Sequence, residues 1–200
     1  MSARMNLCTD PAFATLQPLL MERMARLGAE IHAAQFATFL DPLLREIIKQ
    51  GFTEAGAHEG TVWLVDAAGE SLEPAHTVGP HAEKIVGQFK QPLGSGLISM
   101  VFATEQPFLE NEVPRNAQQS KLLDSQLDVQ THSLIAVPFH FLNACRGVVS
   151  CVRFKSPNGG AGGPPGFHAI HLGHVQRATA LLSQLLEYRL LSRTVGWTCE

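Results

Sequence analysis

Gln91-Pro92-Leu93-Gly94-Ser95-Gly96-Leu97-Ile98-Ser99-Met100-Val101-Phe102-Ala103-Thr104-Glu105-Gln106-Pro107 is the stretch on which the reading of this chain turns. A Gly-Ser-Gly turn runs into a short apolar helix, expected over 95–105, and a strand opened by a proline follows over 107–111. Glycine lets the backbone turn tightly and come close to another group. Ser95 is placed to cap the helix by accepting a hydrogen bond from a free N–H. The uncovered N–H groups of such a helix start suit a small polar or anionic ligand. Gly-Ser-Gly turns are common, so the stretch takes its meaning from its flanks.

Upstream, residues 60–66 (Gly-Thr-Val-Trp-Leu-Val-Asp) are rich in β-formers and read as a strand. Residues 67–70 turn the chain. A return strand from Ser71 to Val78 is interrupted by Pro74, which makes it an edge strand or a late-starting one. Residues 81–89 form a helical or irregular excursion. Downstream, the polar residues 112–131 form a loop with a short helix between Asn116 and Leu127. Residues 133–140 and 147–154 are near-continuous apolar runs joined by a turn at 142–146. Such runs imply strands covered on both faces.

Helices are expected at both ends. Phe13, Leu16, Leu20, Met24 and Leu27 recur at helical spacing over 11–28, with Asp10 as cap and Pro11 at the first position. A second pattern over 30–50 contains Pro42, which requires a kink or a restart capped by Asp41, and Gly51 is the expected stop. Residues 156–166 (Ser-Pro-Asn-Gly-Gly-Ala-Gly-Gly-Pro-Pro-Gly) are a flexible loop by composition. Helix resumes over 168–192. Helices flanking a run of strands give an α+β antiparallel sheet. The terminal helices would cover one face, and the excursions at 79–106 and 112–131 would enclose a pocket on the other.

Composition narrows the function. Apolar content of 45% builds a core, while 16% charged residues and a net charge of −3 without a basic block exclude a nucleic-acid surface. Cys8, Cys145, Cys151 and Cys199 form no CxxC pair, so neither a zinc site nor a thioredoxin-like motif is indicated. Scattered cysteines suit a reducing cytoplasm. Residues 1–10 lack the apolar core of a signal peptide. No run reaches the roughly 20 apolar residues of a membrane span. The expected location is cytoplasmic.

The order of these pieces resembles the GAF domain family. The matching elements are the strand 61–66 with its Gly turn, Pro92–Ser99, Thr104–Leu109, Asn111–Arg115, the Val137-Pro138 strand, and 147–154 followed by the long helix after Phe167. The resemblance covers roughly residues 34–191, leaving 1–33 as a helical extension and 192–200 as a tail. It implies a PAS-related, six-stranded antiparallel sheet with flanking helices, a small-molecule pocket on one face, and dimerisation helices at both ends. It also implies a non-catalytic sensor of an unnamed ligand that acts as a homodimer on a tethered or bound output protein. By analogy of element order, the pocket residues are Phe89, Leu93, Ser95, Gly96, Leu97, Phe108, Ser133 and Ile135. The chain is then a stand-alone module or a piece of a longer protein. The Asn-Lys-Phe-Asp-Glu signature of many cyclic-nucleotide-binding members is not recognisable, and no Cys-His pair of the bilin-attachment kind is present.

Other chemistries were weighed residue by residue. His168, His171 and His174 spread too far round a helix to meet one ion, and no metal site is expected there. His76, His132 and His140 border strands, and each could ligate haem iron. Cys145 and Cys151 would serve a thiol-dependent reductase of free methionine sulfoxide, given a low-pKa thiolate and a resolving partner, with Arg146 as the nearby cation. A ligand-free dimerisation module is the remaining alternative. No Ser/His/Asp triad, HExxH or phosphate-loop motif is present.

Overall fold

The computed structural model describes residues 11–155 and 163–194. Asp10, Cys8, Cys199, most of the Gly/Pro loop and the end of the tail lie outside the described residues. Seven α-helices are described: α1 Gln17–Ala29, α2 Ala33–Phe39, α3 Pro42–Glu54, α4 Ala82–Ile85, α5 Leu97–Thr104, α6 Leu122–Leu127 and α7 Ala169–Thr194. The strands are β1 Glu59–Val65, β2 Ser71–Val78, β3 Gln91–Pro92, β4 Phe108–Glu110, β5 Thr131–Phe141 and β6 Ala144–Phe154. They form one antiparallel sheet in the order β3-β2-β1-β6-β5-β4.

The central hairpin β5–β6 is closed by Leu142 and Asn143, both at positive φ (53° and 61°). Two such residues give the primed turn whose twist matches the flanking strands. The turn is therefore shorter than the 142–146 segment expected, and Ala144, Cys145 and Arg146 belong to β6. Gly147 is required by its neighbour: a Cβ there would collide with the Trp63 carbonyl of β1. Pro74 sits where β2 has run past its short pairing with β3, so its missing N–H breaks no outer ladder. β2 also carries a register shift at this point.

Alternation sends β5 and β6 side chains to two different layers. Ile135, Val137, Val149 and Cys151 join Val62 and Leu64 under α2, α3 and α7. Leu134, Ala136 and Val148 join Trp63, Leu72, Leu97 and Val101 on the opposite face, under α5 and the 113–127 segment. The helical layer is tied down by Arg153, whose guanidinium donates to the carbonyls of Ala55, Gly56, Pro165 and Gly166 at 2.7–3.1 Å and lies 4.2 Å over the Phe167 ring.

The N-terminal helices depart from expectation in instructive ways. α1 begins at Gln17 with Pro18 in its first turn, after a 3-10 turn at Pro11–Phe13. Asp41 restarts the chain as α3: its Oδ1 accepts from Leu44 N–H at 2.8 Å, and its other oxygen pairs with Arg189 of α7. Gly51 does not stop α3, which runs on to Glu54. It is buried where α3 meets α7, and a Cβ there would strike the Ala178 side chain. This glycine was selected for closeness, not for termination.

Replacing Gly51 with Leu therefore costs about 1–3 kcal/mol of stability by overpacking. Gly94→Ala, facing open space, stays within about 0.5 kcal/mol of the parent; urea unfolding separates the two. In the β1–β2 turn, the Asp66 carboxylate accepts from Ser71 Oγ at 2.6 Å and from the Glu70 and Ser71 N–H groups, which hold its pKa down at about 2. A depressed carboxylate pKa stabilises the fold above the unfolded value and loses that contribution as pH falls through the folded one. Asp66→Asn should cost roughly 1 kcal/mol at pH 7, a figure discounted for exposure. The gap from the parent should close between about pH 4 and pH 2 in acid-unfolding curves.

Candidate functional site

On the sheet face opposite α7 lies a cavity of about 80 Å³. Its floor is the sheet: Trp63 from β1, Thr131 and Leu134 from β5, and Ser150 and Val152 from β6. One wall is the start of α5 with Gln91. The other is the segment from Val113 through Gln119, Ser120, Leu123 and Asp124. The floor is stiff, because Trp63 Nε1 donates to Ser150 Oγ at 2.8 Å across the β1–β6 pair.

The α5 wall depends on Gly96. It stands at φ 92°, and Ser120 Cβ and the Gln91 side-chain amide crowd the place of a Cβ. Gln91 Nε2 donates to the Ser95 carbonyl at 2.8 Å, and Ser99 Oγ donates to the Pro92 carbonyl at 2.9 Å. No side chain caps α5. The expected Ser95 cap is thus replaced: Ser95 is exposed, Gly96 holds the cap position, and the helix begins at Leu97. Leu97 and Ile98 bring the uncapped first turn to the cavity.

The opposite wall is organised by Asp124. Its Oδ1 accepts from Thr131 Oγ1 at 2.6 Å. Its Oδ2 accepts from Thr131 N–H at 2.9 Å and from Gln119 Nε2 at 3.1 Å. That last bond fixes the Gln119 amide, whose Oε1 is buried with no partner among the described residues. Among the described residues, no lysine, arginine or histidine lines the cavity. Lys90, the cation nearest the Gly-Ser-Gly turn in sequence, instead pairs with Glu73 beside a separate groove of about 310 Å³ between α2 and β2.

Of the residues nominated from sequence, Gly96 and Leu97 line the cavity. Phe89, Leu93 and Phe108 pack in the apolar cluster on the same face without lining it, Phe89 edge-on to Trp63 at 6.1 Å. Ser133 and Ile135 do not line this cavity. Ile135 is buried in the helix-covered core, and Ser133 stands opposite Arg153 on that same face, so their neighbour Leu134 faces the cavity instead. Trp63, Gln119, Asp124, Thr131, Ser150 and Val152 were not nominated. Ser150 and Val152 follow from the two-residue period of β6; Gln119 and Asp124 leave no periodic trace.

The histidines do not converge. His76 stands opposite Val62, beneath the helices, and burial with Arg45 nearby lowers its pKa. His140 pairs with Glu105 at 2.9 Å, and none of His76, His132 and His140 lines the cavity. His171 Nδ1 accepts from the His168 N–H at 2.9 Å, while His174 meets Glu54 at 3.0 Å. Among the described residues, no three His, Cys, Asp or Glu side chains could hold a metal ion.

The cysteines are equally separate from the cavity. Cys151 is buried in the helix-side core, and burial drives its thiol pKa up. Burial likewise pushes Cys145 up to about 11, with Glu105 adding to the effect. Arg146 does not relieve it: its guanidinium lies near Gly28 of α1, and its Nε is buried without a partner among the described residues. These are the reverse of an activated thiolate.

The fold and cavity define a sheet-based module of the GAF kind. A GAF domain family model matches residues 39–186, and the chain belongs to that family. Domains of this family are generally small-molecule-binding regulatory units. The chain is similar to the GAF domain of a phosphoenolpyruvate-protein phosphotransferase from Coxiella burnetii, with 15% identity over 94% of this chain and 100% of that one, TM-score 0.59. It is similar to the GAF-B domain of DevS from Mycobacterium smegmatis at 19% identity, covering 74% and 97% of the two chains, TM-score 0.53. A type II free methionine-R-sulfoxide reductase from Thermoplasma acidophilum shares the fold at 14% identity, covering 81% and 96%, TM-score 0.50. No curated protein matches the chain in sequence. Among the described residues no helix is long and apolar enough to cross a membrane.

With a pKa near 11, about one Cys145 thiol in ten thousand is thiolate at pH 7. A Cys8→Ser, Cys199→Ser variant should therefore react with a disulfide reagent at least a hundredfold more slowly when folded than in urea. Stopped-flow absorbance measures both rates.

Proposed function

We propose that this chain is a non-catalytic sensor domain that binds a small molecule in the cavity between the sheet and the α5 and 113–131 segments. The observation that carries the reading is the cavity itself. A stiff, bonded floor faces two walls built from short elements, and Gln119 on one wall carries a buried oxygen with no partner among the described residues. Ordinary ligand pockets measure roughly 300–1,000 Å³. At about 80 Å³, this one admits a ligand of any size only as the 113–131 wall moves outward. Occupancy is therefore coupled to the position of that wall, and a ligand shifts it by binding the opened form more tightly.

The reading of the chain as no enzyme is supported by its thiols. Cys145 and Cys151 are both raised in pKa and absent from the cavity lining, whereas a thiol-dependent reductase needs a reactive thiolate at its substrate. A haem sensor is disfavoured by the lack of a histidine in the lining. The output side of the proposal rests on α7. Leu181 and Tyr188 are exposed one heptad apart, 42% and 50%, and Leu43 at 62% lies beside the cleft that Tyr188 and Leu185 line. An apolar stripe on a 26-residue helix suits pairing with a second copy, and the dimer would pass the signal to an output domain or partner protein.

Native mass spectrometry of freshly purified protein tests the ligand: the parent should retain a small molecule, and Val152→Trp, which fills the cavity floor, should lose it while keeping the parent's circular dichroism. Equal retention by both would remove the cavity from the account. Light scattering at micromolar concentration should give twice the chain mass, falling to one chain mass in a Leu181→Asp, Tyr188→Asp variant. A parent already monomeric would end the dimer.

A further inference from the structure

We propose that the cavity selects a small molecule that carries N–H donors and no net negative charge, an amidine- or amide-type head, and rejects carboxylates and phosphates. The inference rests on the cavity being the ligand site and adds the ligand's chemical class. It follows from counting what the walls offer. Asp124 brings a carboxylate whose partners are a hydroxyl, a backbone N–H and an amide N–H. Among the described residues it has no ion pair, and the lining contains no cation.

The Gln119 amide cannot serve as a general-purpose contact. Its nitrogen is committed to Asp124, so its buried oxygen is available only as an acceptor. A buried acceptor left without a donor is destabilising, and a ligand N–H that reaches it restores the missing bond. A donor head reaching this wall meets the Asp124 carboxylate, and the buried Gln119 oxygen once the wall moves outward; charge-assisted bonds are the stronger kind. An anion in the same place would face Asp124 and an amide oxygen with no cation to offset its desolvation.

The start of α5 contributes the other half. Its first-turn N–H groups lack a side-chain cap, and they suit a neutral acceptor such as a carbonyl or a ring nitrogen. The two walls thus specify a donor edge and an acceptor edge on one small molecule. The Gly-Ser-Gly turn alone suggested an anion; the residues across the cavity overrule it.

Three planar molecules of nearly the same shape separate charge from size: acetamidinium, acetamide and acetate. Each is titrated at millimolar concentration while the indole N–H resonance of Trp63, identified by its loss in Trp63→Phe, is followed by NMR. Acetamidinium and acetamide should move that resonance, and acetate should bind at least tenfold more weakly than acetamidinium. Asp124→Asn should weaken acetamidinium at least fivefold and leave acetamide within about twofold. Ser120→Lys, which adds a cation to the cavity lining without replacing a member of the Asp124 network, should admit acetate. Acetate binding as well as acetamidinium in the parent overturns the assignment of class and leaves the cavity as the ligand site. Failure of all three to move the resonance also overturns the assignment, while retention of a molecule in the Val152→Trp comparison still decides whether the cavity binds anything.

Discussion

Two-sided burial of the β5–β6 hairpin is the constraint on which the remaining structure depends. A strand covered on both faces must satisfy two different layers with alternating residues. Here Ile135, Val137, Val149 and Cys151 serve the helices, and Leu134, Ala136, Val148 and Val152 serve the cavity side. Slipping either strand by one residue would exchange the layers. The close approach of β1 at Gly147 prevents that slip, because only a residue without a side chain fits under the Trp63 carbonyl. The register that builds the helix-side core is therefore the same register that places Trp63, Leu134 and Ser150 on the cavity floor.

That dependence explains what the sequence disclosed. The apolar runs at 133–140 and 147–154, the Gly turn after Val65 and the helix after Gly96 carried strong local signals, so the element order and family resemblance were legible. Which of two neighbouring residues faces the ligand was not. Choosing Ser133 and Ile135 instead of Leu134 required knowing the register and its shift near Thr131. Gly51 misled for a related reason: a glycine that ends a helix and one that admits a neighbouring helix look alike until Ala178 is seen beside it. Gln119 and Asp124 belong to a polar segment whose order comes from side-chain hydrogen bonds across 5 and 7 positions of chain, and periodicity does not record those.

The two layers also divide the labour electrostatically. The helix side concentrates its charge in Arg153 and the Asp41–Arg189 pair, which stitch segments together through carbonyl oxygens and one carboxylate. The cavity side places the Asp124 carboxylate among neutral donors. Cations thus tie segments together on one face, while on the other a carboxylate held by neutral hydrogen bonds lines the cavity. Cys145, Cys151 and the described histidines are absent from that lining.

The turn at Leu142-Asn143 has a bearing on how the molecule assembles. A two-residue connection makes the longest ladder in the sheet also the one with the smallest loop to close. Hairpins of this kind form in roughly microseconds. β1, by contrast, must find β6 across more than eighty intervening residues, and such distant pairings are the slow ones. The hairpin can therefore stand first as a template, with β1 arriving against Gly147 as the committing step. The cavity floor, made where β1 meets β6, is then among the last parts of the sheet to exist during folding and among the first to open when the chain is strained.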